Sequence, residues 1–237
     1  MTLVRNAFAV AAAFAASTFC ASANAEEVRV FAAGAVQGSI SQIVTAFEKE
    51  TGNKVIATYG TAGAVETKIA AGEPADIALS SLKGLHGLAD DGKVASDYPK
   101  VVGRVRIAVA VKTGSKKPDI SKPEKLRAVL LSTPSFGYAD PASGATTGIF
   151  FAKVLNELGI TDEVKSKAVL RKGGLEVMKE VVNGTVAMGF GQASEIVPVP
   201  GVEIAGFMPD TMQLTGVYAA SLTKAGAKSA AAKDLFA

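Results

Sequence analysis

The chain has 237 residues, and its 25 Lys and Arg residues nearly balance its 22 Asp and Glu residues, which gives a net charge of +3 at pH 7. The basic residues are scattered and only 6% of residues are aromatic, which argues against a nucleic-acid partner. One His and one Cys are too few for a metal centre built from these ligands.

The first 25 residues have the three parts of a secretory signal peptide. Arg5 gives a positive start, residues 7–19 form an apolar stretch, and Ala23-Asn24-Ala25 is a cleavage signal of the A-x-A type. We expect cleavage after Ala25 and a periplasmic protein that has lost its single cysteine, Cys20. No later apolar run reaches the ~18 residues that suggest a membrane-spanning helix.

From residue 28 onward, the apolar patterns of strands and helices alternate. Ile40, Ile43, Val44 and Phe47 have the spacing of a helix that packs on a sheet, and Gly52 is a typical residue to end it. Further helix patterns lie at residues 64–71, 82–91, 147–158, 175–183 and 192–197. Strand patterns lie at residues 28–31, 55–59, 76–79, 104–111, 135–139, 168–170, 186–190, 202–207 and 214–219. This alternation predicts an α/β fold with mostly parallel sheets flanked by helices.

Three strand-to-helix turns consist of small, neutral residues, at positions 33–35, 60–63 and 143–147. In parallel sheets, ligands bind beyond the carboxyl ends of the strands, which is where these turns lie. Because no bulky side chain is in the way, an anion can reach the backbone N–H groups that open each helix. Together the three turns predict a cleft that binds an anion.

Two long strand patterns, at residues 104–111 and 214–219, are candidates for hinge strands between two lobes. With residues 1–25 removed as the signal peptide, the first lobe would comprise residues 26–103 and 206–237. The second lobe, inserted into the first, would comprise residues 104–205. The predicted cleft would then lie between the lobes.

Four motifs occur in an order and spacing that resemble a known family. They are Val30-Phe31-Ala32-Ala33-Gly34-Ala35, Gly72-Glu73-Pro74-Ala75-Asp76, Asp140-Pro141 with Gly148, and Gly189 with Ser194. From about residue 28 to 220 the chain resembles the periplasmic molybdate- and tungstate-binding proteins of ABC importers, a group of extracellular solute-binding proteins. The resemblance implies the type II periplasmic binding protein fold, with two α/β lobes and two hinge strands.

The resemblance also implies how a ligand is held, because this family binds an oxyanion through backbone N–H groups and neutral hydroxyls, without direct metal ligands. The implied ligand positions are Gly34, Ala35, Thr61, Ala62, Ser80, Ser143, Thr146, Thr147, Gly174 and Gln192. Ala35 and Ala62 stand where the family has serines, Gln192 stands where it has a tyrosine, and Gly174 replaces a small apolar residue. Each lost hydroxyl removes a hydrogen bond to the charged ligand, which would contribute about 1.5–3 kcal/mol to the binding free energy. The expected ligand is therefore a small anion, either a molybdate-like oxyanion or a small carboxylate.

Several of these side chains have a simpler role open to them, because hydroxyl and amide groups at helix starts often cap the helix. This alternative applies to Thr61, Ser80, Ser143, Thr146 and Gln192. Arg104 and Arg106, on the first hinge pattern, could reach a carboxylate, but a surface position is the more common one. The pair Arg171-Lys172 has the same two interpretations.

The sequence has no sign of an enzyme. His86 is the single histidine, lies on a predicted helix, and is not accompanied by a G-x-S-x-G nucleophile motif. We expect a monomeric receptor, without cofactor or covalent chemistry, that presents its ligand to an inner-membrane ABC permease. A periplasmic sensor or accessory binding module, and more remotely a hydrolytic enzyme, stay open as alternatives.

The sequence ends at residues 231–237, early in a predicted helix. The resemblance implies a longer C-terminal helix that packs on the first lobe. We therefore expect this end of the chain to be shortened, with a cost in stability.

Overall fold

The computed structural model describes residues 25–95 and 99–237, so the predicted signal peptide lies outside the described residues except for Ala25. The strands are β1 (Glu27–Ala33), β2 (Lys54–Gly60), β3 (Ile77–Ser81), β4 (Lys100–Lys112), β5 (Phe136–Ala139), β6 (Ala168–Arg171), β7 (Met188–Gln192), β8 (Val202–Phe207) and β9 (Thr215–Leu222). The helices are α1 (Gln37–Thr51), α2 (Ala62–Ala70), α3 (Leu82–Asp90), α4 (Pro123–Ser132), α5 (Thr146–Glu157), α6 (Thr161–Val164), α7 (Gly174–Asn183), α8 (Ala193–Ile196) and α9 (Ala230–Phe236). A 3-10 turn, Gly34–Val36, precedes α1, and another, Pro141–Ser143, precedes α5.

The first lobe contains a sheet with the strand order β2-β1-β3-β9-β4. Strand β1 is parallel to β2 and β3, whereas β9 is antiparallel to β3 and to the first half of β4. The crossovers α1 and α2 connect the parallel strands. The carboxyl ends of β1 and β2 therefore lie at one edge of this sheet.

The second lobe contains β4, β7, β5 and β6 in that order, with β8 paired to β4. Strand β5 is parallel to β6 and β7, while β7 and β8 are antiparallel to the second half of β4. The break between the lobes falls inside β4, because residues 100–106 pair with β9 and residues 107–112 pair with β7 and β8. Strand β4 is thus a hinge strand.

Each lobe has its own apolar core. In the first, residues of β1 and α1 such as Val28, Val30 and Phe47 pack with Tyr218 from β9. In the second, Phe151 and Phe190 stack with ring centroids 3.9 Å apart. Separate cores allow the lobes to move relative to each other without exposing apolar surface, as closing on a ligand requires. The lobe boundaries at residues 103/104 and 205/206 stay a prediction.

The predicted order of strands and helices from 28 to 219 is confirmed, including the end of α1 at Gly52, whose φ is 75°. Helices α4 and α6 were not predicted, and α4 was missed because Pro123 was interpreted as a breaker. Proline fits the first position of a helix, since the N–H that it lacks has no partner inside the helix. No helix in the described part of the chain is long and apolar enough to cross a membrane.

Candidate functional site: the interlobe cleft

A cleft with a volume of about 330 Å³ lies between the lobes at the carboxyl ends of the parallel strands. Residues that follow β1 and β2 line it from the first lobe, and residues that follow β5, β6 and β7 line it from the second. Tyr218 of β9 contributes from the hinge side. The cleft is therefore at the edge where the small-residue turns predicted a binding site.

Four helix starts line the cleft, at Gly34, Ala62, Thr146 and Gly174. The residues before three of them, Ala33, Ala145 and Gly173, provide no capping side chain. Thr61 caps α2, because its Oγ1 accepts a hydrogen bond from the Ala64 N–H at 3.1 Å. The first N–H groups of a helix have no partner within it and carry the positive end of its dipole. Three of these starts thus offer uncapped donors to an anion.

Two buried polar atoms in the cleft wall have no hydrogen-bond partner in the described structure, Thr147 Oγ1 and Gln192 Oε1. Thr147 is 2% exposed and Gln192 is 4% exposed, so water outside the cleft cannot satisfy them. A buried polar group without a partner costs about 1–3 kcal/mol. Within the described residues, Ser194 and Ser221 also carry unpartnered hydroxyls, outside the lining, so Thr147 and Gln192 are distinguished by their place beside the uncapped helix starts.

Tyr218 adds a neutral donor to the cleft. Its hydroxyl oxygen accepts a hydrogen bond from Gln192 Nε2 at 2.6 Å, and the hydroxyl is also hydrogen-bonded to that of Thr146. Burial is the main reason why the pKa of Tyr218 is raised to about 12, so the phenol stays protonated at neutral pH. With its oxygen already accepting, the proton of Tyr218 is available to a ligand.

Glu195, on α8, places a carboxyl group in the same cleft and is only 7% exposed. Its Oε2 accepts a hydrogen bond from the Gln192 N–H at 3.1 Å. Burial raises the pKa of Glu195 to about 7, against the lowering effect of that N–H, and the nearby charge of Glu176 raises it further. The group is therefore close to half protonated at neutral pH.

The rim of the cleft carries two lysines and one glutamate, namely Lys68, Lys172 and Glu176. Lys68 is paired with Glu73 at 2.6 Å, whereas Lys172 is exposed and forms no ion pair within residues 25–95 and 99–237. A solvent-exposed lysine at the mouth raises the local concentration of anions. Lys172 is thus a cation that an entering anion can meet, beside the carboxylate of Glu176.

The lobes touch each other beside the cleft. The Gly63 N–H donates a hydrogen bond to the Gly144 carbonyl at 3.1 Å, and Thr61 Oγ1 donates to the Ser143 carbonyl at 2.5 Å. A Cβ atom on Gly63 would lie 2.8 Å from the Cα atom of Gly144, a distance that side chains do not tolerate. The structure is therefore a closed form.

Eight of the ten ligand positions predicted from the sequence line the cleft, namely Gly34, Ala35, Thr61, Ala62, Thr146, Thr147, Gly174 and Gln192. The structure places Ser80 and Ser143 outside the lining. Ser80 Oγ lies 2.7 Å from Glu66 Oε1, and Ser143 Oγ donates to the Asp140 carbonyl at 2.7 Å. Both hydroxyls are used inside the protein and are not turned towards the ligand space.

Sequence reasoning missed Glu195, Tyr218 and Lys68. Glu195 had a usable signal, since an acid three residues after a polar helix start is the spacing of a capping box, and Gln192 precedes it by three. Tyr218 had none, because only the pairing of β9 with β3 and β4 brings it to the cleft. A site residue that strand pairing brings to the cleft can be identified only from the folded structure.

Of the residues singled out as possible catalysts or surface cations, Lys172 lines the cleft, whereas His86 and Arg106 lie outside it. His86 is exposed on α3, as expected for an ordinary helix residue. Arg106 pairs with Asp210 at 2.9 Å and stacks on the ring of Phe207. In the described residues, no group of three or more His, Cys, Asp or Glu side chains is placed to hold a metal ion.

Comparison with known protein sequences identifies the family of this chain. The model of the bacterial extracellular solute-binding protein family matches residues 28–237. An aconitate isomerase from Pseudomonas sp is 32% identical over 212 residues, which cover 87% of this chain and 79% of that protein. The molybdate-binding protein ModA of Escherichia coli (strain K12) is 25% identical over 207 residues, which cover 86% of this chain and 80% of that protein.

Among solved structures, the periplasmic molybdate-binding protein of Azotobacter vinelandii matches with a TM-score of 0.68 at 22% identity. The match covers 88% of this chain and 90% of that one. It confirms the predicted type II fold, and the family match confirms the predicted resemblance. The chain belongs to the family of bacterial extracellular solute-binding proteins.

Proposed function

We propose that this protein binds a small polycarboxylate anion in the closed cleft and is the periplasmic receptor of an ABC importer. The observation that carries the proposal is the convergence of three uncapped helix starts on the cleft, one of which lies beside the unpartnered Thr147 hydroxyl of the described structure. A carboxylate oxygen accepts from both a hydroxyl and the N–H groups of a helix start. One carboxylate there would satisfy donors that are otherwise unpaired.

The size of the cleft favours a polycarboxylate over a tetrahedral oxyanion. A volume of about 330 Å³ reaches the ~300–1,000 Å³ range of pockets that hold whole small organic molecules. Molybdate has only five atoms, and Ala35 and Ala62 lack the hydroxyls that would bind it. Three uncapped helix starts suit a ligand with several separated carboxylates.

The names of the relatives support the same proposal. The 32% identical relative is named for aconitate, an unsaturated tricarboxylate, whereas the molybdate-binding relative is 25% identical. Delivery to a permease is the role that the family and the closed, two-lobed form support. Adjacent permease and ATPase genes would support this role over that of a sensor.

Isomerisation of the bound polycarboxylate is a second candidate function. One specific observation favours it over simple binding: Glu195 is a carboxyl group buried in the binding cleft, where it adds no attraction for an anion. Its contact with the Gln192 N–H at the start of α8 uses only one of its two oxygens. The relative named aconitate isomerase is consistent with this candidate.

The substitution Thr147→Val tests the proposed binding. It removes only the unpartnered hydroxyl, so the melting temperature of the ligand-free protein should stay unchanged or rise. A lost hydrogen bond to a charged ligand is worth about 1.5–3 kcal/mol, so the affinity for cis-aconitate in a calorimetric titration should fall about 10- to 150-fold.

Ser221→Ala is the matched control, because Ser221 also carries a buried hydroxyl without a partner in the described structure but lies outside the cleft lining. We expect its affinity to equal that of the unmodified protein. An affinity that Thr147→Val leaves unchanged would contradict the proposal.

A further inference from the structure

The Glu195 carboxyl group has one fixed oxygen and one open oxygen. Oε2 is held by the Gln192 N–H at 3.1 Å, whereas no group in residues 25–95 and 99–237 donates a hydrogen bond to Oε1. The backbone contact fixes the orientation of the carboxyl plane. Oε1 is thus a positioned, unoccupied proton acceptor in the cleft wall.

Glycines make the space around this carboxyl group. A Cβ atom on Gly174 would lie 2.2 Å from Glu195 Oε2, so only glycine leaves room for the carboxylate there. A Cβ atom on Gly34, in the other lobe, would lie 3.7 Å from Oε1. Glu195 is therefore enclosed between the two lobes when the cleft is closed, next to two of the helix starts that would bind the ligand.

Glu195 forms a capping box with Gln192 at the start of α8, but the contact to the Gln192 N–H uses Oε2 alone and leaves the carboxylate without a cation in the described part of the chain. Buried carboxylates are usually paired with a cation. Among the described residues, no ion pair within 4 Å includes Glu195, and the cleft lysine Lys68 is bound to Glu73. Because burial and the charge of Glu176 keep the pKa of Glu195 near 7, both protonation states are populated at neutral pH. That property suits a group that accepts and returns a proton.

The geometry points to Glu195 as the residue that transfers a proton within a bound, unsaturated polycarboxylate and so moves its double bond. This inference rests on the proposed function, since it requires that such an anion binds in the cleft. Glu195 Oε1 would take a proton from the methylene carbon next to a carboxylate. The proton on Glu195 Oε1 would exchange with solvent, and Oε1 would then deliver a proton to the far carbon of the double bond.

The step is balanced without any other reactant. The C–H bond of the methylene group breaks, its electron pair forms the new double bond, and the pair of the old double bond forms the new C–H bond at the far carbon. Rotation while the charge is delocalised interconverts the cis and trans forms. No oxidant, reductant or cofactor takes part.

The rest of the cleft is suited to the charge that develops in this step. Negative charge would accumulate on the carboxylate oxygens of the ligand as the proton leaves. The Tyr218 hydroxyl, the Thr147 hydroxyl and the uncapped helix starts are fixed donors for such oxygens. Donors that are already oriented and shielded from water stabilise developing charge most effectively.

Proton exchange with solvent is the direct test. The unmodified protein is incubated with cis-aconitate in D₂O and followed by proton NMR. We expect deuterium to enter the methylene and vinyl positions and trans-aconitate to form. In Glu195→Gln the amide oxygen can still accept from the Gln192 N–H, so the fold is kept, but exchange and isomerisation should fall 10²- to 10⁴-fold.

Binding is measured separately on the same samples by calorimetry. Glu195→Gln should bind cis-aconitate at least as tightly, because a negative charge has been removed. The control Glu157→Gln changes an exposed carboxylate at the far end of α5 and should keep the rate. The rate should rise with pH through an inflection near pH 7 to a plateau at higher pH, and Glu176→Gln should move this inflection to lower pH.

The outcomes distinguish a failure of the role inferred for Glu195 from a failure of the proposed polycarboxylate binding. A Glu195→Gln protein that exchanges deuterium at the unmodified rate overturns the inference. So does an unmodified protein that binds cis-aconitate without exchange, and in that case the proposed binding function stands. If no polycarboxylate binds, the proposed function fails and the inference fails with it.

Discussion

Glu195 and Thr147 are the two residues whose burial is hardest to explain without a ligand. Glu195 is 7% exposed with no ion pair among the described residues, and the Thr147 hydroxyl has no partner there at 2% exposure. Each burial costs free energy in the ligand-free, closed protein. Such costs are typical of sites that are kept for binding or chemistry rather than for stability.

The burial of Glu195 predicts a pH-dependent stability difference. Its pKa is about 7 in the folded chain against an ordinary value of 4.5, so the folded state binds the proton more tightly. The stability from this group is complete below pH 4.5 and is lost as the pH rises through 7. At 1.36 kcal/mol per pKa unit, Glu195→Gln should be about 3 kcal/mol more stable than the unmodified protein at pH 8.

Urea denaturation at pH 4 and pH 8 measures this difference. At pH 4 the two proteins should have the same free energy of unfolding, because Glu195 is protonated in both the folded and unfolded states. Equal stability at pH 8 would show that the carboxyl group is not buried as described.

At the level of elements, helix α3 shows how neighbouring glycines can have opposite roles. A Cβ atom on Gly84 would lie 1.8 Å from Glu66 Oε1, an oxygen that the Ser80 and Ser81 hydroxyls hold at 2.7 and 2.8 Å. A Cβ atom on Gly87 would meet nothing within 4 Å. The first glycine is needed for packing, and the second only weakens the helix.

Alanine substitutions in α3 should therefore have effects of opposite sign. Gly87→Ala should stabilise the protein by up to ~1 kcal/mol, since glycine is a poor helix residue. Gly84→Ala should destabilise it by about 1–3 kcal/mol, because Glu66 must move away from two hydrogen bonds. Thermal melts of the two variants measure this, and a stable Gly84→Ala protein would contradict the described packing.

Local patterns were enough to predict most elements, because periodicity and end signals such as Gly52 and Gly184 act within a few residues. They were also enough for the helix starts at Gly34, Ala62 and Thr146. They failed at Ser80, where the hydroxyl has a partner in α2, and at Tyr218, which reaches the cleft through strand pairing. Contacts between distant segments decide such side-chain directions, and a single sequence does not contain them.

At the scale of the whole molecule, closure depends on the approach of two glycine backbones, one from each lobe. Gly63→Ala would place a Cβ atom 2.8 Å from Gly144 Cα and 3.0 Å from its carbonyl oxygen. We expect this variant to favour the open form, with a larger radius of gyration in small-angle scattering in the presence of cis-aconitate. Because the competent closed form is less populated, its affinity should fall about tenfold or more.

Gly38→Ala is the control for this prediction, since a Cβ atom there would meet nothing within 4 Å. It should close and bind as the unmodified protein does. If Gly63→Ala closed to the same radius of gyration with full affinity, the contact between the lobes would not govern closure.

The central claim is that the cleft is built for a small polycarboxylate rather than for a tetrahedral oxyanion. A calorimetric titration of the purified protein with cis-aconitate, trans-aconitate, citrate, molybdate, tungstate and sulfate in one buffer tests it most directly. The account predicts saturable binding of at least one polycarboxylate, at least tenfold tighter than any oxyanion. Tight binding of molybdate or tungstate with no binding of the carboxylates would contradict it.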